Sequence, residues 1–456
     1  WLVPTFSARN HKFATGNNMD FSAKRKGALR YGMTWDVPRG NYEVLLECVD
    51  MLTSDNPRTN DVFWTALRAI EDRDPITSRV PVATTTVRIK ATDQLNGVLD
   101  ELNGIVTTWG KDWDGTSWVD GNLLTNPASL FRHVLQGRAN AIPLPDDRIN
   151  LPALQEWHEF CTAKGFTCAS VITSGRSVWE VLAEVAACGR ASPAEVDGKW
   201  GVVIDRPQAV PVSHITPRNS ANFKAEKAFI ELPHAFRIPF VNEEQNWRRD
   251  ERRVYRAGYN ASNATEFEEL TLPGITNPDQ VERMGRYRMA QGIQQPERFS
   301  FRQDMEFLTY QRGDRVKITH DVLLVGLHSG RVKDVVLDLD DNVTGLVLDE
   351  EVEMVAGEEY GVSIRTLGDP ALTRRVTTEA GRSTTITLAT SIPPVGSFPA
   401  VRRGDLFGFG LFGAETDDAQ IISIQPRNNA EANIVAVPYR EGIYSGDDTP
   451  IPPFQP

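Results

Sequence analysis

From residue 298 onward the apolar positions fall at every second residue. Phe299, Phe301, Met305 and Phe307 alternate with polar neighbours, and similar short stretches recur around Val316, Val335, Leu346, Ile364, Ile386, Ile422 and Ile434. A period of two sends successive side chains to opposite faces of an extended strand, so the pattern predicts several short strands, a β-barrel or sandwich over 298–440. Upstream the period lengthens towards that of a helix. Asn150 and Pro152 open one helix with Leu154, Trp157, Phe160 and Cys161 on one face, and Gly165 can supply the left-handed residue that ends it. Ser177 and Glu180 have the spacing of a capping box for a second, whose Val178, Val181, Leu182, Val185 and Cys188 point inward until Gly189. Asn277 and Pro278 begin a third, with Glu282 placed to pair with Arg286 and Pro296 beyond its end.

Between the first two helices "FTCASVIT" (166–173) predicts a strand, and "ASPAEVDGKWGVVIDRP" a hairpin turned at Asp197-Gly198. The segment 150–215 is thus expected as an α-β-α-β-β domain. Residues 1–149 are expected as a β-rich region with strands over 41–52 and 84–92 and a short helix over 61–72. In it Trp109, Trp113 and Trp118 stand among Asp-Gly turns, before a helix capped by Asn126 with Pro127 at its first position. Residues 216–297 form a proline-rich and polar connection with an arginine-rich stretch and the third helix, and 441–456 reads as a proline-rich exit linker. The fold class expected is α+β, mainly β, with several domains.

The chain's 456 residues exceed one ordinary core, and 40% hydrophobic with 24% charged residues is the balance of a folded chain. No run approaches the roughly 18 apolar residues of a membrane span, and "WLVPTFSARNHKF" lacks the zones of a signal peptide, so neither span nor export is expected. With Trp1 instead of Met at its start, the chain is expected to be a processed or visible part of something longer. Four cysteines (Cys48, Cys161, Cys168, Cys188) are too few for a disulfide scaffold and fit assembly in a reducing compartment. A net charge of −12 disfavours whole-chain nucleic-acid binding and suits a surface that DNA passes without sticking.

Candidate chemistry is sparse. Arg312-Gly313-Asp314 and Arg403-Gly404-Asp405 repeat a tripeptide that adhesive proteins present to cell receptors. Each directly precedes a strand pattern, so Gly313, Asp314, Gly404 and Asp405 are expected as structural turns, with glycine taking a positive φ and aspartate accepting backbone N–H bonds. Asp338, Asp340 and Asn342 alternate as in a calcium loop, but Val343 stands where such a loop needs Gly and Asp349 where it needs Glu, so a hairpin turn is expected. His158, Cys161 and Cys168 lack the paired spacing of a zinc site. No nucleophile, metal or phosphate motif stands in a suitable context, so no catalytic residue, metal or cofactor is expected. The stretch 246–259 interleaves Arg248, Arg249, Arg252, Arg253 and Arg256 with Trp247, Tyr255 and Tyr259, a mix that could hold nucleic acid but in an acidic chain fits a subunit interface better.

The order of "WDGTSWVDGNLLTNPASLFRHVL", "LQEWHEFCTAKGF", "GRSVWEVLAEVAACGRASPAEVDGKWGVVIDRP", "LPGITNPDQVERMGRYRMAQ", "RFSFRQDMEFLTYQRGDRVKITHD" and "GLHSGRV" resembles that of the host-specificity protein J (TipJ) family, the central tail-tip proteins of long-tailed, lambda-like bacteriophages. The resemblance runs over roughly 100–440 and is strongest from Leu272 to Val332. It implies a non-enzymatic homotrimeric hub of the tail tip, assembled in the bacterial cytoplasm, that closes the tail tube. The implied partners are the distal tail protein, the C-terminus of the tape-measure protein, other tail-tip or fibre proteins, and DNA that passes the lumen unbound. Contact with a host envelope receptor would lie in regions outside this chain. From a different class, a tail-associated cell-wall or polysaccharide hydrolase is the alternative.

Overall fold

The computed structural model describes residues 103–454 apart from 174, 229–230, 324 and 428–429, together with two strands and a few single positions before residue 103. Two compact units divide the chain, Trp1–Val106 and Thr107–Pro456. In the first, β1 (Leu2–Ala8) pairs antiparallel with β2 (Tyr42–Cys48), Leu2 opposite Cys48. β2 falls within the strand expected over 41–52, whereas the expected helix over 61–72 and strand over 84–92 lie largely outside the described residues.

In the second unit the hairpin β3 (Trp109–Trp113) and β4 (Trp118–Leu123) leads into α1 (Pro127–Gln136), α2 (Leu151–Lys164), α3 (Val178–Cys188) and the hairpin β5 (Ala191–Val196) and β6 (Lys199–Ile204). The helix ends follow the local chemistry of the sequence. The side chains of Asn126, Asn150 and Ser177 accept the N–H groups of Ala128, Ala153 and Glu180, while Glu180 returns to the Ser177 N–H at 2.8 Å. Asp197 and Gly198 turn the hairpin with φ of 53° and 71°, the backbone that suits right-handed strand twist. Val178 does not point inward as expected. It occupies the first turn of α3, which projects from the core, and is 44% exposed.

Next come β7 (Ser213–Ile215), β8 (Ala221–Lys227), β9 (Ala235–Asn242), β10 (Arg248–Tyr255), β11 (Phe267–Glu269) and α4 (Pro278–Gln294). Strands β10-β9-β11 form a small sheet whose inner residues, Phe236, Ile238, Phe240 and Val254, join α4 and α1–α3 in one core around Phe131, Leu154, Trp157 and Leu182. Gly285 permits the close approach of α4 to this sheet, because a Cβ there would lie 2.7 Å from Val254 and 2.8 Å from Ile238. The strand expected over 166–173 does not form. Its backbone is held singly instead, by Cys168 N–H to Thr125 O at 2.9 Å and Ala169 N–H to Gly274 O at 2.8 Å, while the Gln280 amide takes both backbone groups of Thr167 at 3.0 Å. A side chain stands where a neighbouring strand would, so the order here is α-α-β-β.

The rest is β, as the fold class anticipates. Strands β12 (Glu297–Gln303) and β13 (Arg315–Ile318) join a six-stranded sheet in the order β7-β13-β20-β21-β12-β8, where β20 is Asp417–Pro426 and β21 is Ala432–Pro438. Between β13 and β20 the chain leaves to build a closed barrel from β14 (His328–Leu337), β15 (Val343–Met354), β16 (Tyr360–Arg365), β17 (Leu372–Val376), β18 (Gly381–Ile392) and β19 (Leu406–Leu411). It returns to pair Asp417 with Ile318, so the barrel is an insertion closed at its neck by a ladder of the parent sheet. Leu346, Val362, Ile364, Phe407 and Phe409 fill the barrel; Phe299, Val316, Ile421 and Ile434 fill the sheet's core. The alternation expected through Phe307 stops at Gln303. Met305–Thr309 is a 3-10 turn with Met305 exposed, wound around Glu306, which Asn219 and Arg365 hold at 2.8 and 2.7 Å.

Candidate functional site

The arginine-rich stretch becomes β10, an edge strand, and its alternation splits the arginines between two faces. Arg248 and Arg249 are exposed, Arg253 is exposed and bonded to Glu251 at 3.2 Å, and Trp247 at the preceding turn is 40% exposed. Tyr255 is half-buried, and Arg256 donates to Leu232 O at 3.0 Å with its guanidinium over Tyr259. Arg252 points the other way and is 4% exposed. It does not stand on the outer face with the other arginines expected at a subunit interface, because the inner face of β10 packs on α4 and its charge is neutralised there by Glu282 at 2.8 Å. The outer face that remains carries Arg249, Glu251 and Arg253 beside Arg237 of β9, whose guanidinium covers Phe267.

The two Arg-Gly-Asp triplets share one geometry. Asp314 Oδ2 accepts Gln311 N–H at 2.8 Å and Asp314 N–H donates to Gln311 O; Asp405 Oδ2 accepts Arg402 N–H at 2.7 Å and Asp405 N–H donates to Arg402 O. Gly313 and Gly404 take φ of 94° and 96°. Each turn also pins a neighbouring strand, through Gly313 N–H to Ile421 O and Gly404 N–H to Val332 O. Arg312 is directed inward, onto Ser192 Oγ at 2.9 Å and Pro193 O at 2.6 Å. Burial raises both aspartates' pKa above the usual carboxylate value.

A cavity of about 250 Å³ lies where α3, the β5–β6 hairpin, α4 and the six-stranded sheet meet. Asp205 is its polar centre. It accepts the hydroxyls of Tyr287 and of Tyr444, the latter at 2.6 Å, and the amide of Gln420 at 3.3 Å. Burial, reinforced by this carboxylate's charge, pushes both tyrosines far above their ordinary pKa, so they stay neutral donors. With its lone pairs occupied by fixed donors, Asp205 serves as a structural acceptor and is poorly placed to act as a base.

Residues 441–454, expected as an exit linker, dock onto the molecule. Glu441–Asp447 forms a 3-10 helix whose Ile443 and Tyr444 are buried against Tyr287 and Tyr439. Asp447 binds Arg190 at 2.5 Å and Lys164 at 3.0 Å. Beyond it the carbonyls of Thr449, Pro450 and Pro452 accept N–H groups of Arg286, Arg286 and Arg252 at 3.2, 3.2 and 2.8 Å, and the Phe454 ring meets Phe240 edge-on. Glu282, 5% exposed, holds both arginines, with one oxygen 2.8 Å from Arg252 and the other 2.9 Å from Arg286. The i,i+4 pair Glu282–Arg286 was legible in the sequence; the seat it helps to build was not.

The remaining candidates dissolve into local structure. Asp338 Oδ1 accepts the N–H groups of Asp340 and Asn342 at 2.9 Å each and so caps the β14–β15 hairpin turn. His158 meets Asp112 at 3.1 Å, and Ser129 donates to the same carboxylate oxygen at 2.5 Å, so histidine and hydroxyl share an acceptor and do not face each other as base and nucleophile. Cys161, Cys168 and Cys188 are buried free thiols. Among the described residues no group of three or more His, Cys, Asp or Glu is placed to hold a metal ion.

Residues 177–335, from the cap of α3 into β14, match the model of a family described as putative phage tail protein. No curated protein matches. Among solved structures the chain is similar to a tail protein from Neisseria meningitidis MC58, with a TM-score of 0.30 and 11% identity over 62% of this chain and 61% of that one. A chain in the virion of a native gene transfer agent particle gives a TM-score of 0.32 and 12% identity over 63% and 47%. The 43 kDa tail protein of prophage MuSo2 from Shewanella oneidensis gives 0.24 and 9% over 48% and 52%. The match spans less than two thirds of each of those chains.

Proposed function

We infer that the chain is a structural protein of a bacteriophage-type tail and, within it, the central hub of the tip. The observation that carries the reading is the phage-tail family match, which covers α3, the β5–β6 hairpin, the three-stranded sheet, α4, four strands of the six-stranded sheet and the entry into the barrel. In this reading three copies surround a lumen, between the distal tail protein above and the tape-measure C-terminus within. Arg249 and Arg253 on the outer face of β10 pair with carboxylates of a neighbouring subunit. Net charge −12 turned in part towards the lumen repels DNA phosphates, so the genome slides through unbound. Opening is a rigid-body movement of blocks at their seams, releasing the tape measure. The hub anchors fibre and receptor-binding parts, contact with the host receptor itself lies in regions outside this chain, and the chain performs no bond chemistry.

Electron-microscopy reconstruction of intact particles tests this. Three copies around the distal end of the tube are expected; a particle lacking the chain overturns the reading. Incubation with peptidoglycan or capsular polysaccharide should release no product, and sustained turnover would favour a tail-associated hydrolase instead.

A further inference from the structure

The arginine of the first Arg-Gly-Asp triplet is not needed by its turn. Gly313 and Asp314 build that turn, and the second triplet builds the same one with Arg403 exposed. Arg312 instead lines the cavity of about 250 Å³, together with Arg190, between α3 and β5, and Arg288 of α4. Three guanidiniums thus meet one cavity in a chain of net charge −12.

Two carboxylates answer them. Asp447 takes Arg190, while Asp205 on the cavity wall gives its oxygens to Tyr287, Tyr444, Gln420 and Gln291 and to no guanidinium. Among the described residues Arg288 and Arg312 form no ion pair. Arg288 donates through Nη1 to Gln291 Oε1 at 3.0 Å, which leaves Nε and Nη2, the two donors of its planar fork, without an acceptor there. Arg312 uses only Nη2, on the neutral oxygens of Ser192 and Pro193. Burial alone lowers its pKa, the mark of a guanidinium that has lost water and gained no counter-charge. Arg190 is 4% exposed, and its Nε is buried with no hydrogen-bond partner among the described residues. Three positive charges against two negative ones leave one over, and the unused donors are of the kind that binds a carboxylate.

We propose that this cavity is a binding site for one further carboxylate, held by Arg288 through its fork and by Arg312. A single negative charge balances the cavity. Its volume lies below the roughly 300–1,000 Å³ of pockets for drug-sized ligands, so the group belongs to a small organic acid or to one acidic side chain of an approaching chain. The chemistry is the same in both cases. The inference stands on the cavity alone and does not need the tail reading.

Thermal melts of the full-length chain at constant ionic strength test it, because a ligand of the folded state raises the melting temperature along a saturable curve. Sodium chloride is replaced stepwise by sodium succinate, which stands for the free acid, or by N-acetyl-Gly-Glu-Gly-amide, which stands for the side chain. At least one probe should bind saturably, and the tighter of the two names the source. Arg312→Gln should weaken that binding at least tenfold. Arg288→Gln, at an exposed position of α4, should do the same and serves alone if the first variant is misfolded by circular dichroism. Arg403→Gln, in the second triplet, should leave the midpoint unchanged. A response that stays linear in concentration for both probes, or saturable binding that persists undiminished in the arginine variants of the cavity, overturns the proposal.

Discussion

Asp447 and Arg190, 257 positions apart in the chain, meet at 2.5 Å with side chains only 3% and 1% exposed. The guanidinium also lies over the rings of Tyr287 and Phe166 at 4.4 and 5.1 Å, so removal of its partner would strand a charge among aromatics. Breaking a buried pair on one side costs about 3–5 kcal/mol. Asp447→Asn should therefore lower unfolding stability at pH 7 by about that amount, read by urea denaturation, and should speed amide exchange in 441–454. Burial opposes the charge of Asp447, but Arg190 and Lys164 outweigh it and hold its carboxyl below the usual value. A depressed carboxylate contributes stability above its unfolded pKa and loses it as the pH falls through the folded one. The gap between variant and parent should close only below about pH 4.

The two Arg-Gly-Asp turns differ in what surrounds their glycines. A Cβ at Gly404 would meet nothing within 4 Å, whereas one at Gly313 would overlap the Val203 side chain. Both positions need positive φ, which costs an L-residue about 1–2 kcal/mol. Gly404→Ala should lose about that much, and Gly313→Ala about 1–3 kcal/mol more from the added overlap. Thermal melts of the two variants check the order. Cells bearing receptors for the triplet should not adhere to the immobilised chain; adhesion abolished by Asp314→Glu with Asp405→Glu would refute the turn reading.

What could be read from the sequence was local. Caps, the Asp197-Gly198 turn and the strand alternation are dictated by neighbours a few residues away, and Asn150, Ser177 and Asn277 all cap helices in the structure. What could not be read depends on partners far along the chain. The pairing of Ile318 with Asp417 makes the barrel an insertion, and nothing in either segment's period encodes it. The arginine stripe looked uniform because composition does not record which alternate residues of a strand face inward. Residues 441–456 looked like a linker because proline hides the signal of order: guanidiniums, not a backbone ladder, satisfy the carbonyls.

Gln280 shows the same limit and can be tested. It is 2% exposed, and its amide is fully used: Oε1 accepts Thr167 N–H and hydroxyl, and Nε2 donates to Thr167 O and Cys188 O at 3.0 Å each. Gln280→Leu keeps the volume but orphans several buried groups at about 1–3 kcal/mol each. A loss of about 3 kcal/mol or more is expected, with faster amide exchange at Thr167. A near-neutral change would mean that 166–173 is held by its own two backbone bonds.

The neck between sheet and barrel contains a histidine that acid should turn against the fold. His214 on β7 is fully buried, with Nε2 2.8 Å from Thr319 Oγ1. The Thr319 hydroxyl donates to Glu415 O at 3.0 Å, so it accepts from Nε2–H and leaves Nδ1 unprotonated and without a partner. Burial, then the charges of Lys317 and Arg365, lower the pKa to about 3. In the unfolded chain it is about 6.5, so between these values the unfolded state binds the extra proton and folding weakens as the pH falls, by up to about 1.4 kcal/mol per unit. Above about pH 6.5 the residue contributes no pH dependence. Urea midpoints from pH 7.5 to 4.5 should fall more steeply for the parent than for His214→Gln, whose amide can still donate to Thr319 and cannot be protonated in this range. His133 and His320, also lowered by burial, contribute equally to both profiles and cancel in the comparison. Parallel profiles would show that protonation of His214 is not what limits the fold in acid.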